Sequence, residues 1–375
     1  MIEEYKGQLP ENMLDECKKL FEELKLTKKE QEEVLKKLKT DFDNAKINPG
    51  EAIGVVTAES FGEPGTQMSI GAIEKIIVKI NDEIKILEIG KFVDTILDKK
   101  GWIRFNDSEL INTNDLEIYV PSLDQNEKIQ WKKVVECSRH KTDRPLIKLT
   151  TAHGKEIIAT ANHSFVIRQN NNIVPVKGSF LVEGDRIPVV RNLPIENTIT
   201  EINIGDYLET PVENFVKDGN MLLRTHKAKK AIVSNLRLNN INGWFIGAYL
   251  AEGHANSGEV SISNIDKDYA QKAKNFITNI GLKYKENWNV RGFGLGRDVK
   301  ASSSILAKFI TKTCGQGSNF KKVPDFAYNA PDEFVSALLR AYFDGDGNFT
   351  ISRKMIRASS NSEELIKGIS LLLTR

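Results

Sequence analysis

Gly62-Glu63-Pro64-Gly65-Thr66-Gln67-Met68-Ser69-Ile70 is the stretch on which the reading of this chain turns. Pro64-Gly65 ends a helical run sharply, since proline lacks a backbone donor and glycine admits conformations closed to other residues. Before it, Ala52, Gly54, Ala58, Gly62 and Gly65 are small enough to allow close backbone approach. After Met68 the text becomes SIGAIEKIIVKINDEIKILEI, where short apolar runs are separated by turn residues in the manner of strands. The first boundary in the chain therefore falls at Met68–Ser69.

Working back from that boundary, residues 10–46 read as two amphipathic helices. Leu14, Cys17, Leu20, Phe21 and Leu24 recur at helical spacing, as do Val34, Leu35, Leu38, Phe42 and Ala45. Thr27 with Glu30 is a capping-box pair for the second helix, and Asn48-Pro49-Gly50 is a turn. The run GEAIGVVTAESFGEPGTQM, residues 50–68, closely resembles a segment of the largest subunit of cellular RNA polymerases just before its trigger loop. It is similar to the archaeal arrangement, in which that subunit is split and this text opens the second, carboxy-terminal piece. The family continues toward a Thr-x-x-Phe-His run, and this chain does not.

Working forward, residues 69–192 read as all-β, with strands at Ile76–Ile80, Glu83–Leu87, Glu117–Val120, Trp131–Ser138, Leu146–Thr150, Lys155–Ala159 and Ser164–Arg168. The text Gly154-Lys155-Glu156-Ile157 with Thr160-Ala161-Asn162-His163-Ser164-Phe165 resembles the splicing block of inteins and their hedgehog-like relatives. Val182-Glu183-Gly184-Asp185-Arg186-Ile187 is similar to the strand that follows it there. A Thr-x-x-His run alone reads as a turn with a satisfied histidine; beside a hydroxyl residue at the Met68–Ser69 break it implies self-splicing. The resemblance makes Met68–Ser69 the scissile junction and Ser69 the nucleophile of an acyl shift. His163 would protonate the leaving nitrogen, Thr160 would hold the scissile peptide by hydrogen bonds, and Asn162 would help with the developing oxyanion.

A third block contains a repeat. Gly243-Trp244-Phe245-Ile246-Gly247-Ala248-Tyr249-Leu250-Ala251-Glu252-Gly253 is answered by Leu338-Leu339-Arg340-Ala341-Tyr342-Phe343-Asp344-Gly345-Asp346-Gly347. Two helices about a pseudo-twofold axis approach closely only if small residues line their contact. Each copy ends in an acid followed by glycine, which brings Glu252 and Asp346 together. Both copies resemble the LAGLIDADG motif of homing endonucleases. That resemblance makes Glu252 and Asp346 the ligands of Mg²⁺ between two scissile phosphates, and it puts Asp344 inside the helix pair. Asn319–Pro324 resembles the lysine-bearing block, with Lys322 by the scissile phosphate and Lys321 the next choice. Gly258–Asn264 and Tyr284–Leu295 read as strands, and Arg291, Arg297 and Lys300 at or near their ends are the DNA-binding candidates. Between the blocks, the cluster Arg224, Lys227, Lys229, Lys230 and Arg237 reads as a solvated linker or as a contact to DNA phosphates.

Composition fits this division. At 375 residues, two or three domains are expected. Net charge of +2 neither requires nor excludes nucleic acid. Cys17, Cys137 and Cys314 have no zinc or disulfide spacing and suit a reducing cytoplasm. The expected fold is multidomain: a short α-helical extein at 1–68, an all-β hedgehog/intein-like domain at 69–192 and a linker or DNA-contacting insert at 193–237. An α+β LAGLIDADG domain, cut short, follows at 238–375. The expected function is a precursor of an archaeal RNA polymerase subunit with a self-splicing intein and a DNA endonuclease. Double-stranded DNA, other polymerase subunits and a carboxy-terminal intein half in trans are the expected partners, with no cofactor for splicing. The alternatives are a truncated or split intein half, or an inactive pseudo-intein that only binds DNA.

Overall fold

Helical spacing at the start of the chain translates directly into packing. In α1 (Glu11–Glu23) the residues Leu14, Cys17 and Phe21 are buried, and α2 (Lys28–Asn44) brings Leu35 into the same cluster. The capping box forms: Thr27 N donates to Glu30 Oε2 at 2.8 Å and Glu30 N donates to Thr27 Oγ1 at 3.4 Å. The buried stripe is narrower than the sequence suggests, because two helices cover only one face of each other and leave Leu20, Leu24 and Val34 exposed. The computed structural model describes residues 5, 8–24, 26–44, 69–105, 108–124, 126–142, 145–195, 199–208, 215–218, 222–225, 231–291 and 294–375. The polymerase-like run 50–68, the turn at 48–50, Ala45 and Met68 lie outside the described residues. The chain divides into two units, Met1–Gln67 and Met68–Arg375.

The second unit opens with β1 (Lys75–Ile80), β2 (Glu83–Glu88), α3 (Ile89–Lys100), β3 (Ile103–Phe105), β4 (Ser108–Asn112), β5 (Ile118–Leu123), β6 (Ile129–Lys133) and β7 (Glu136–His140). It continues with β8 (Leu146–Thr150), β9 (Glu156–Thr160), β10 (Ser164–Gln169) and β11 (Asn172–Lys177). The strands form sheets of order β2-β1-β5-β6 and β3-β4-β7, with β8-β9 and β10-β11 as hairpins. Asn81-Asp82 and Asn170-Asn171 all have positive φ, the geometry of the tight turns that join twisted strands.

Three expectations are corrected in this block. Residues 89–100 form a helix whose Phe92, Val93, Ile96 and Leu97 pack on Val78, Ile118 and Cys137, so the block is mostly rather than wholly β. The run Trp131–Ser138 is two strands in two different sheets. Val182–Ile187 is a turn: Val182 N donates to Asp185 Oδ2 (2.9 Å), Asp185 N donates to Val182 O (3.2 Å), and Gly184 has φ +101°.

The rest of the unit contains β12 (Glu201–Asn203), β13 (Phe215–Asp218), β14 (Leu222–Thr225), β15 (Ile232–Val233), β16 (Asn235–Arg237), α4 (Asn240–Glu252), β17 (Gly253–Ala255) and β18 (Glu259–Ser263). After them come α5 (Lys267–Asn279), β19 (Tyr284–Arg291), β20 (Gly294–Ser302), α6 (Ser304–Cys314), α7 (Asp332–Asp346), β21 (Gly347–Thr350), β22 (Met355–Ala358) and α8 (Glu363–Leu372). Residues 193–237 are not a linker, because Ile202, Ile204, Ile232 and Leu236 are buried in the same core as α4 and α7. Of the basic cluster, Arg224 lies in β14 and Arg237 is exposed in β16, while Lys227, Lys229 and Lys230 lie outside the described residues. The β-block is tied to this core by buried Asn329, which accepts from Ile84 N (2.7 Å) and donates to Ile84 O (2.8 Å). One amide side chain thereby satisfies both backbone groups of a buried strand residue, the requirement burial imposes.

Candidate functional site

Strand pairing positions the first group of candidate residues. Ile70 makes an isolated antiparallel bridge with Ala159, which lays Ser69 across the end of β9. There Thr160 N donates to Ser69 O at 2.9 Å, Thr160 Oγ1 lies 3.3 Å from the same oxygen, and Ser69 N donates to Thr160 Oγ1 at 3.1 Å. One threonine thus holds both backbone groups of Ser69, and it is 5% exposed. The chain then turns: His163 N donates to Thr160 O (2.9 Å), and Gly178 N and Ser179 N hold His163 O (2.9 Å) and Ala161 O (2.8 Å). A Cβ on Gly178 would meet Ile147 Cδ1 at 2.4 Å and Ala161 O at 3.2 Å, so glycine lets the 178–179 backbone close on this turn without displacing Ile147. The His163 ring stacks edge-on against Phe165 with its Nδ1 shut away from solvent, and Asn162 is half-buried beside it.

The structure adds a residue that no motif pointed to. His140, at the end of β7, places Nδ1 3.3 Å from Ser69 Oγ. Alternation along the strand explains its direction. Cys137 and Arg139 face α3, Cys137 within its core and Arg139 in ion pairs with Asp94 (2.6 Å) and Glu109 (2.7 Å). His140 therefore faces the other way, toward Ser69. Its only sequence signal is the alternation itself.

The second group is built by helix packing. A Cβ on Gly243 would lie 2.2 Å from Phe334 O, and one on Gly247 would lie 2.0 Å from Leu338 O. The backbones of α4 and α7 are therefore in direct contact, which the small residues at these positions allow. The acids at both helix ends are drawn together: burial raises the Glu252 pKa and the nearby Asp346 raises it further, while Lys321 opposes the shift. Asp346, like Asp344, is exposed at the surface, yet partial desolvation of its carboxyl raises its pKa while Lys321 lowers it. Asp344 is not inside the helix pair; it is exposed, 3.7 Å from Arg340 one turn away.

Lys321, not Lys322, joins the carboxylates. Its Nζ donates to Leu250 O (3.0 Å) and Ala251 O (3.2 Å), the unpaired carbonyls ending α4, where the helix favours positive charge. Burial lowers its pKa against the pull of Asp346 and Glu252. The tight turn at Gly315 (φ +77°), where a Cβ would stand 1.9 Å from Phe320 O, delivers it there. Lys322 is half-buried, its amide bonded to Cys314 O (2.8 Å). Among the described residues no cluster of three or more His, Cys, Asp and Glu gathers. A cation at Glu252 and Asp346 would draw its other ligands from water or a bound phosphate, and it would relieve two carboxylates that burial disfavours as anions.

The β19–β20 hairpin corrects the arginine assignments. Arg297 lies in the body of β20, and Lys300 lies near its end at Ser302. Arg297 pairs with Trp288 across the hairpin on the α5 face, stacks on that ring (4.3 Å) and meets Glu286 (3.1 Å). It is 8% exposed and supports the sheet instead of presenting itself to a ligand. Lys300 is on the opposite face, opposite Lys285 and 3.2 Å from Glu259. Lys285 and Asn287 on that face are exposed. Arg291 ends β19 opposite Gly294.

Compared with known proteins, the family described as intein splicing domain matches residues 77–357. The chain is 44% identical over 369 residues to DNA-directed RNA polymerase subunit Rpo1C of Methanocaldococcus jannaschii, covering 98% of this chain and 42% of that protein. It is 25% identical over 310 residues to replication factor C small subunit of the same organism, covering 78% of this chain and 15% of that one. A crystal structure of a transcription factor IIB mini-intein is 28% identical, with a TM-score of 0.31, covering 33% of this chain and 70% of that chain. The chain thus spans less than half the length of these two curated relatives. No helix among the described residues is long and apolar enough to cross a membrane.

Proposed function

This chain belongs to the intein splicing domain family, and from that premise we propose that Ser69 is the first residue of an intein interrupting an archaeal RNA polymerase subunit. The observation that carries the reading is the double hold of Thr160 on the amide and carbonyl of Ser69. In this reading Ser69 Oγ attacks the Met68 carbonyl and an ester replaces the peptide bond. Thr160 fixes the Ser69 backbone so that the hydroxyl and the scissile bond keep one orientation, which removes the entropy of aligning them. His163 supplies the proton for the departing nitrogen, and Asn162 borders the turn that presents it. No metal or cofactor enters these steps. A carboxy-terminal splicing segment, in the same chain or in trans, would take the acyl group onward. Excision would restore a polymerase subunit that assembles with its partner subunits in the cytoplasm; the 44% identity to Rpo1C supports that host.

We further propose that α4 and α7 with their following strands form a LAGLIDADG-type endonuclease for the uninterrupted gene. Glu252 and Asp346 would hold Mg²⁺, which supplies a polarised phosphate and an activated water. Lys321, anchored on α4, would meet the negative charge of the scissile phosphate. Lys285, Asn287 and Lys300 on the free face of β19–β20 would read the DNA groove, with Arg291 at the hairpin end. The test is twofold. Hydroxylamine should release residues 1–68 from the parent protein and not from Ser69→Ala. A duplex spanning the uninterrupted GTQM junction should be cut only with Mg²⁺. Release from Ser69→Ala at the parent rate would refute the junction, and cutting in EDTA would refute the metal site.

A further inference from the structure

The approach of His140 to the Ser69 hydroxyl has no place in the motifs that identify the junction. A serine hydroxyl is a poor nucleophile until a base withdraws its proton, and Thr160 is bonded to the backbone of Ser69, not to its Oγ. His163 is on the turn that follows Thr160. Ser69 Oγ lies 3.3 Å from His140 Nδ1. That distance is slightly beyond a formed O–H···N bond, as is usual for a catalytic pair before the reacting geometry closes.

The strand end that carries His140 is also held in place. β7 pairs with β4 through five residues, ending at the register Ser108–His140, and Ser108 is buried. On the opposite face Arg139 locks the same strand end to α3 and β4 by its ion pairs with Asp94 and Glu109. That pairing fixes the backbone from which His140 reaches Ser69. His140 also reaches Ser69 from a different sheet than Thr160, so the nucleophile stands between two independently supported elements.

We propose that His140 is a catalytic residue of the first splicing step, the general base that takes the proton from Ser69 Oγ; the proposal rests on Ser69 being the intein nucleophile. Oγ bonds to the Met68 carbonyl carbon as its proton passes to His140 Nδ1. The tetrahedral adduct then expels the Ser69 nitrogen, which receives a proton from His163. The products are the Met68–Ser69 ester and a free α-amino group, with His140 protonated and His163 neutral. Proton exchange with water restores both rings. Division of labour between two histidines separates the base at oxygen from the acid at nitrogen.

The experiment exploits nucleophile acidity. A thiol ionises far more readily than a hydroxyl, so a base should matter less when Ser69 is replaced by cysteine. Hydroxylamine-dependent release of residues 1–68 is followed in the parent, in His140→Ala, in Ser69→Cys and in the double variant. His140→Ala is expected to slow release by about 10²–10⁴-fold with serine and by no more than about 10-fold with cysteine. Efficient release from the double variant would also show that the His140→Ala fold is intact. Equal losses in both backgrounds would make His140 a structural residue and overturn the proposal, as would no loss with serine. If neither the parent nor Ser69→Cys released the fragment while His163→Ala behaved identically, the junction reading would fall, and the base with it.

Discussion

The two candidate sites of this chain hold their reacting groups by opposite means. At Ser69 the groups are half-buried and meet across strand ends, and their geometry is set by hydrogen bonds from Thr160 and the approach of His140. At Glu252 and Asp346 the groups emerge from two helices whose backbones touch, and their geometry is set by steric contact at Gly243 and Gly247. The first site should therefore be sensitive to hydrogen-bonding capacity and tolerant of volume, and the second should show the reverse. Each substitution below is chosen to break or sharpen that contrast.

The largest effect is expected at the nucleophile. Ser69→Ala removes the only oxygen that can form the ester, so fragment release should fall to background by mass spectrometry, with DNA cutting unchanged. Next come Glu252→Gln and Asp346→Asn, each expected to abolish Mg²⁺-dependent cutting in a plasmid assay while leaving most DNA binding and all ester formation. Misplacing a reacting group by about 1 Å costs about 10²-fold in rate. Thr160→Ala should thus slow release by about that factor, and Thr160→Ser should recover most of it. Thr160→Val, which keeps volume and loses the hydroxyl, should behave like alanine; a Val variant as fast as the parent would refute the hydrogen-bond account.

Steric control is tested by adding one methyl. A Cβ at Gly247 would stand 2.0 Å from the Leu338 carbonyl oxygen, so the helices must separate. Overpacking of this kind costs about 1–3 kcal/mol, against about 1 kcal/mol gained in helix propensity when glycine becomes alanine. A net loss in stability by urea denaturation is expected for Gly247→Ala, with cutting impaired beyond that loss because the two carboxylates move apart. Fragment release should change little.

The contrast also explains what could be read in advance. The helix pair was legible because it repeats: two copies of one pattern in one chain specify a symmetric contact, and Gly243 and Gly247 fill the role their size suggests. The Ser69–Thr160 pair was legible because its residues lie in a recognisable run beside a break in the text. His140 was not, since a histidine at a strand end carries no mark of the residue it will face. Adjacent Lys321 and Lys322 differ only in direction, which the turn at Gly315 decides. A basic residue on a strand looks exposed in sequence, whereas the register puts Arg297 under Trp288 against Glu286. Helix α3 is hard to read because its start follows a strand run with no capping side chain, although Gly101 after Lys99 and Lys100 marks its end.

The smallest expected effect concerns charge at the helix ends and is read from stability alone. Glu252 and Asp346 both have pKa values raised in the fold, chiefly by burial. A carboxyl raised in this way binds more protons folded than unfolded, so stability falls as pH rises from the ordinary carboxylate range through the raised values. Lys321, lowered by burial, has the opposite slope between its lowered value and that of a free lysine. In EDTA, denaturation midpoints of the second unit should therefore decline from mildly acidic toward neutral pH. Mg²⁺ should offset that decline at neutral pH, because a cation bound only by the folded, ionised pair stabilises it by mass action. Glu252→Gln and Asp346→Asn should each flatten the acid-side slope and weaken the Mg²⁺ response, whereas Asp344→Asn, at an exposed position outside the pair, should do neither. A Mg²⁺ response that survives in both pair variants would place the cation elsewhere. It would leave the two helix ends as a steric scaffold with no metal to hold.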